Sequence, residues 1–366
     1  MKINKTKILF LLILFFSIFG LAKNAWAECS GSSPTWTTTP DYASVSSCVS
    51  QASDGDTINI LTGTETWSST LSWTGKALKL IGAGVSNTII TLGTQSPVIE
   101  TDNISGVAGN AVRISGIRFN SANPINIWIL LKGQGWRVDH CYFYNSSGAS
   151  AYFVYAEGSN SGGVQPFGLA DNNYFYEGRN YVHGAGATSS MNAAWADNSS
   201  IGTANAVYYE DNTYYRISSG GVFNDASSGA KWVMRYNTLI GNDEIFTHSL
   251  QAQDSRGTRS WEVYGNSSNN PFSKFIPLRG GTGMVYNNYV TNSSGTYTIA
   301  YDNTRNIPGD CVSGCGTWGY CDGTSSADGN TPGQSGWPVQ DPVGAPAAQL
   351  LSPRRPRSAG PPLGLR

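Results

Sequence analysis

A short phrase ending its strand on asparagine returns through the middle of the chain and restricts the fold more than any other feature. It reads Asp171-Asn172-Asn173-Tyr174-Phe175, then Glu210-Asp211-Asn212-Thr213-Tyr214, Arg235-Tyr236-Asn237-Thr238-Leu239 and Tyr286-Asn287-Asn288-Tyr289-Val290. Asn266 fits the same register, and Cys141 and Ile117 extend it backwards. The gaps between these anchors are 24, 32, 39, 25, 29 and 22 residues. A floor in the low twenties with irregular excess is the mark of stacked coils carrying variable loops.

The columns around the anchors give the secondary structure. Three residues before them stand Ile114, Val138, Ala170, Tyr209, Met234, Val263 and Val285, and five before them Val112, Trp136, Gly168, Val207, Trp232, Trp261 and Gly283. Two after them come Phe119, Phe143, Phe175, Tyr214, Leu239, Ser268 and Val290. Apolar positions two apart with polar residues between are strand alternation, not a helical period. The chain is therefore expected to be all-β, a β-solenoid whose coils bend at the anchors. Asparagine tolerates left-handed backbone at such a bend, and stacked amides can bond one another as a ladder.

Residues 1–27 carry Lys2, Lys5 and Lys7, the apolar run Ile8 to Ala22, and Ala25-Trp26-Ala27. This is the pattern of a secretory signal peptide with a small-x-small cleavage site. The run is short for a membrane span. Cys29 invites a lipoprotein reading, but Glu28 stands where a small residue is expected. The mature chain is expected to be secreted, which places its cysteines in an oxidising compartment. Cys29 and Cys48 can staple a cap to the chain terminus, Cys141 reads as a small buried residue, and Cys311, Cys315 and Cys321 leave one thiol over after any pairing. Without the signal's four lysines the formal charge falls from −1 to −5, and nothing resembles a nucleic-acid footprint.

Residues 28–56 read as an N-terminal cap. Its helix, Asp41 to Ala52, puts Val45, Cys48, Val49 and Ala52 on one face, and it would cover the open end of the core. Residues 57–306 form the solenoid, with early strands over Thr57 to Ile60, Ala77 to Ile81 and Thr88 to Leu92. The excess between Asn173 and Asn212 is an insertion around Ala187 to Asn205, either a groove wall or a decoration. Residues 307–344 are rich in Gly, Ser, Asp and Cys and read as a loop-dominated end piece. Residues 345–366 lack any acid, aromatic or asparagine and are expected to be disordered. Their change of composition suggests a shifted reading frame or truncated gene, an idea that resequencing to an intact frame would remove. Without this tail the body carries −9.

The cap helix followed by Asp54-Gly55-Asp56-Thr57-Ile58, the Leu80-Ile81-Gly82-Ala83-Gly84 turn and the asparagine phrase resemble the right-handed parallel β-helix superfamily typified by pectate lyases. The resemblance covers about residues 41 to 306 and is specific for fold, an architecture that serves enzymes and non-catalytic surface proteins alike. It implies polysaccharide or cell-surface glycan as partner. It also implies, in the lyases, a stacked acidic ladder holding Ca2+ against a uronate carboxylate, with an arginine or lysine abstracting the adjacent proton. Trp136-Arg137-Val138-Asp139-His140 is similar to a Trp-Ile-Asp-His phrase of those enzymes.

Two outward columns can carry chemistry. Two before the anchors stand Ser115, Asp139, Asp171, Glu210, Arg235, Tyr264 and Tyr286. Stacked carboxylates repel unless a cation sits among them. Calcium on Asp139, Asp171 and Glu210 is one reading, with Arg235 as the base the resemblance implies; a face neutralised by Arg118, Arg137 and Arg235 is the other. The second column, at the end of the following strand, reads Lys132, Glu157, His183, Asp225, His248, Arg279 and Asp302. It would line a groove with His183, Glu157 and Asp302 on substrate, and with His248, Arg279 and Asp225 as acid-base groups; polar strand ends entering turns are the alternative. Asp243, Glu244, Asp254, Arg256 and Arg259 surround His248, the densest ionisable stretch of the chain. The carboxylate pairs of polygalacturonases are absent.

Overall fold

The computed structural model describes residues 28–104, 111–158, 165–184, 200–217, 222–241, 244–245, 258–269, 274–278, 281–291 and 297–301. These form a parallel β-solenoid of about eight turns with one helix. Three sheets make its sides. Sheet 1 contains, in order, Thr35–Thr38, Thr57–Ile60, Lys79–Gly82, Val112–Ser115, the end of Ile127–Asp139, Phe167–Asp171, Val207–Glu210, Lys231–Arg235, Ser260–Tyr264 and Thr282–Tyr286. Sheet 2 follows the bend, from Gly63–Trp67 through Tyr142–Asn145 and Thr213–Arg216 to Tyr289–Thr291. Sheet 3 closes each coil with strands that include Ile99–Ile104, Tyr152–Glu157, Arg179–His183 and Val222–Ser227. Strand Ile127–Asp139 runs unbroken from sheet 3 into sheet 1, turning the corner where Gly133 and Gly135 take positive φ.

The anchors behave as their spacing implies, with one correction. Asn173, Asn212, Asn237, Asn266 and Asn288 form a continuous ladder in which each Nδ2 donates to the next Oδ1 at 2.9–3.1 Å. That same Oδ1 accepts from the backbone N–H of the preceding anchor, beginning with Cys141 on Asn173. Each Nδ2 also donates back to a carbonyl of the previous coil, as from Asn212 to Ala170. The left-handed residue is not the anchor but the one before it: Gly116, His140, Asn172, Asp211, Tyr236, Gly265 and Asn287 all have φ between 52° and 69°. The bend needs two specialists, one to reverse the backbone and one to satisfy the buried polar groups thus exposed.

The apolar columns fill the interior. Phe119, Phe143, Phe175 and Tyr214 stack coil on coil with ring centroids 5.3, 5.2 and 4.8 Å apart. In the column five before the anchors, two glycines follow tryptophans: a Cβ on Gly168 would lie 2.3 Å from the ring of Trp136, and one on Gly283 would lie 2.1 Å from that of Trp261. Each glycine is thus the space its neighbouring tryptophan occupies.

The N-terminal end is closed by helix Tyr42–Gln51, N-capped by Asp41, whose Oδ1 accepts from Ser44 N at 2.9 Å. Val45, Cys48, Val49 and Ala52 are buried against the first coil, and Cys48 is disulfide-bonded to Cys29. A hairpin of Cys29–Ser32 and Thr35–Thr38, which the strand alternation did not reveal, precedes the helix. Its second strand pairs with Thr57–Ile60, so sheet 1 begins inside the segment read as a cap.

Candidate functional site

The outer face of sheet 1 carries the first predicted column in the expected register. Ser115, Asp139, Asp171, Glu210, Arg235, Tyr264 and Tyr286 are successive partners across the strands. The column four before the anchors lies beside it, and it decides the electrostatics. Arg113 donates to both oxygens of Asp139 at 2.7 Å, and Arg137 to both oxygens of Asp171 at 2.8 and 2.7 Å. Glu210 is paired with Arg235, which also donates to the Tyr264 hydroxyl at 2.8 Å and lies over the Tyr208 ring, 4.7 Å from its centroid.

This arrangement bears on the calcium reading. Asp139 is fully enclosed and accepts from Arg113, Ser115 and His140, so its oxygens are saturated by protein donors. Burial pushes its carboxyl up, but the bonds from Arg113, His140 and Ser115 outweigh it and hold the group below its ordinary value. Among the described residues no group of three or more His, Cys, Asp or Glu side chains has metal-holding geometry. Asp139 and Asp171 therefore do not fit Ca2+: a calcium site needs six to eight oxygens free to turn inward, and bidentate arginines occupy theirs, while Glu210 accepts a single bond from Arg235. The expected neutralisation holds for Arg137 and Arg235. Arg118 instead bonds Asn120 and lies over Tyr142 on sheet 2, and Arg113, four before Ile117, was overlooked. As a base Arg235 is also poorly placed: burial favours loss of its proton, but the bonds to Tyr264 and Glu210 prevail and raise its pKa.

Beside the ion pairs lies a cleft of about 480 Å³ lined by Trp136, Phe167, Leu169 and Tyr208, with Glu210 and Arg235 at one end. Gly202, Thr203 and Ala204 form its wall. This is the described end of the expected insertion, and residues 187–199 lie outside the described residues. The wall is anchored to sheet 1: Gly202 N donates to Glu262 Oε1 at 2.8 Å, Lys231 Nζ to Ser200 Oγ at 3.1 Å, and the Tyr208 hydroxyl to the Thr203 carbonyl. The cleft crosses the coils of Ala111, Trp136, Gly168, Tyr208 and Arg235, four strand spacings or about 19 Å along the axis.

The second predicted column is half right. Lys132, Glu157 and His183 are successive partners on the outer face of sheet 3. The next in line is Ser227; Asp225 stands two residues earlier, opposite Tyr181. The expected alignment failed because the number of residues between anchor and sheet 3 strand varies from coil to coil, so distance from the anchor does not fix register there. Asp225 is buried, with its Oδ2 3.8 Å from Arg179 Nη1. His248, Arg279 and Asp302, together with Asp243, Asp254 and Arg256, lie outside the described residues.

No family profile matches this chain, nor does any curated protein. Two solved structures align weakly. One is ORF18 of Geobacillus virus E2, at 13% identity and TM-score 0.34, covering 70% of this chain and 55% of that one. The other is a variant catalytic domain of a GH87 alpha-1,3-glucanase in complex with tetrasaccharides, at 11% identity and TM-score 0.23, covering 71% of this chain and 66% of that one. The chain thus spans less than two-thirds of either, and neither assigns a functional residue.

Proposed function

We propose that this is an exported carbohydrate-binding β-solenoid whose sheet 1 face receives a polysaccharide chain. The sheet 1 cleft carries the reading. It is elongated along the axis, floored by aromatic and aliphatic side chains, and ends in one oriented ion pair, the usual composition of a site that binds an amphipathic ligand by faces and fixes it by a few polar contacts. Tyr264 and Tyr286, stacked at 4.5 Å, continue the aromatic surface for two further coils. The superfamily resemblance supplies the ligand class, and the Cys29 to Cys48 disulfide supports export.

The test is retention of the full chain on a panel of neutral and acidic polysaccharides by affinity electrophoresis, with Tyr208→Ala and Arg235→Gln alongside. Retardation by at least one polysaccharide that either variant weakens about tenfold supports the proposal. Identical mobility across the panel, or retardation untouched by both substitutions, overturns it.

A further inference from the structure

On sheet 1 nearly every charge has a partner, whereas the outer face of sheet 3 holds polar groups that have none among the described residues. Lys132, Glu157, His183 and Ser227 occupy one column and Leu130, Tyr155, Tyr181 and Asp225 the next. Several are committed within the protein. Lys132 Nζ donates to Glu100 at 2.6 Å, Arg179 donates to the Tyr152 hydroxyl at 2.6 Å, and the Tyr181 and Ser227 hydroxyls share a bond of 2.7 Å. The Glu157 carboxyl, the Tyr155 hydroxyl and the His183 imidazole make no hydrogen bond among the described residues. All three side chains are partly exposed. They sit on two adjacent coils, about 4.8 Å apart at the backbone. The Tyr155 and Tyr181 rings stack at 4.9 Å, and the His183 ring lies 6.4 and 6.3 Å from them.

His183 is poised as a donor. Its Nδ1 is enclosed without a partner, while Nε2 is not enclosed. A buried N–H with no acceptor is costly, so the ring is neutral with its proton on Nε2, facing the opening. Burial agrees, holding the imidazole down at about 4. Glu157 is poised as an acceptor. Burial raises its pKa and Lys132 partly offsets this, but the carboxyl keeps its lone pairs uncommitted.

We infer that the outer face of sheet 3 is a second glycan site, in which the Glu157 carboxylate, the His183 Nε2–H and the Tyr155 hydroxyl bind neighbouring hydroxyls of a neutral sugar. A carboxylate beside a neutral N–H matches a vicinal diol, one hydroxyl donating to Glu157 and the other accepting from His183. An anionic sugar is excluded because Lys132 and Arg179 already have partners and Glu100, Asp102 and Asp225 add negative charge nearby. The inference rests on the polysaccharide reading for its class of ligand, and adds the face and the charge of the sugar.

The test is calorimetric titration of the full chain with gluco-, xylo- and manno-oligosaccharides and with oligogalacturonate. It is run on the native protein, Glu157→Gln, Tyr155→Phe and, for the other face, Arg235→Gln, each variant first matched to native in thermal midpoint. The expected result is saturable heat with a neutral oligosaccharide, weakened about tenfold in Glu157→Gln and weakened measurably in Tyr155→Phe, whatever Arg235→Gln does to heat that arises at sheet 1. Binding of oligogalacturonate alone, or neutral binding that only Arg235→Gln weakens, overturns this site while leaving the sheet 1 proposal standing. Absence of heat with every sugar overturns the inference, and the sheet 1 proposal is then decided by its own electrophoretic assay.

Discussion

At the scale of single residues, the anchor asparagines are the least replaceable groups in the molecule. Asn212 Oδ1 accepts from both the N–H and the Nδ2 of Asn173, and its Nδ2 donates to Ala170 O. All of this happens inside the core, with Asn212 only 1% exposed. Asn212→Ala leaves the Asn173 N–H and the Ala170 carbonyl without partners where water cannot replace them. At about 1–3 kcal/mol for each buried group so abandoned, a loss of about 2–6 kcal/mol is expected, read as a shift of the urea midpoint at constant m-value. The same substitution at Asp211, which has φ of 54° on an exposed bend, should cost about 1 kcal/mol through backbone strain alone. Equal effects at the two positions would contradict the division of labour between the reversing residue and the ladder residue.

At the scale of elements, the N-terminal end of the solenoid is closed by a helix, a disulfide and a lysine clamp. At the N-terminus, helix Tyr42–Gln51 covers the first coil, and the Cys29 to Cys48 bridge holds the leading strand to it across 19 residues of sequence. Lys76 Nζ clamps the helix end, donating to the carbonyls of Val49, Ser50 and Ala52 at 2.7–3.3 Å. Coils of a solenoid contact only their neighbours, so loosening a cap is felt first by the adjacent coil and only weakly far away. Cys48→Ser removes a closure worth about 3 kcal/mol for a loop of this length. Hydrogen exchange should then accelerate in Thr35–Thr38 and Thr57–Ile60, with protection of Val207–Glu210 and Lys231–Arg235 unchanged. A uniform loss of protection along the whole solenoid would mean that the coils unfold as one cooperative unit.

At the scale of the whole molecule, how much could be read in advance depended on what sets each position. Asn173, Asn212 and Asn237 were legible because the solenoid repeats one environment, so the same residue answers it each time. The Arg113 to Asp139 and Arg137 to Asp171 pairs were half legible: their acids fell into a column, but their partners lie on the alternate strand position and one coil back, a relation visible only once the register is known. Asp225 falls out of the expected column because the spacing from anchor to strand varies between coils, and Tyr155 is one tyrosine among nineteen, set apart only by a hydroxyl without a partner among the described residues. Where such groups sit also shapes the response of the fold to acid. His183 is held at about 4 by burial, against an unfolded value of about 6.5. The unfolded chain therefore binds the extra proton first, and the stability that neutral His183 supports is complete above about 6.5 and is lost as pH falls towards 4. Glu157, beside it and raised by burial, acts in the opposite sense, because the folded state takes up its proton before the unfolded one. Lys132, Glu100 and Asp102 modulate it through charge. Asp139 acts lower still: with its pKa held below the ordinary value, its contribution persists through this window and disappears only as the carboxyl protonates. Thermal midpoints followed from pH 7 to pH 4 should therefore fall less steeply in His183→Gln than in native protein, and more steeply in Glu157→Gln. Superimposable curves for native and His183→Gln would show that the imidazole is solvated and charged like any surface histidine, and would remove the neutral donor on which the sheet 3 glycan site depends.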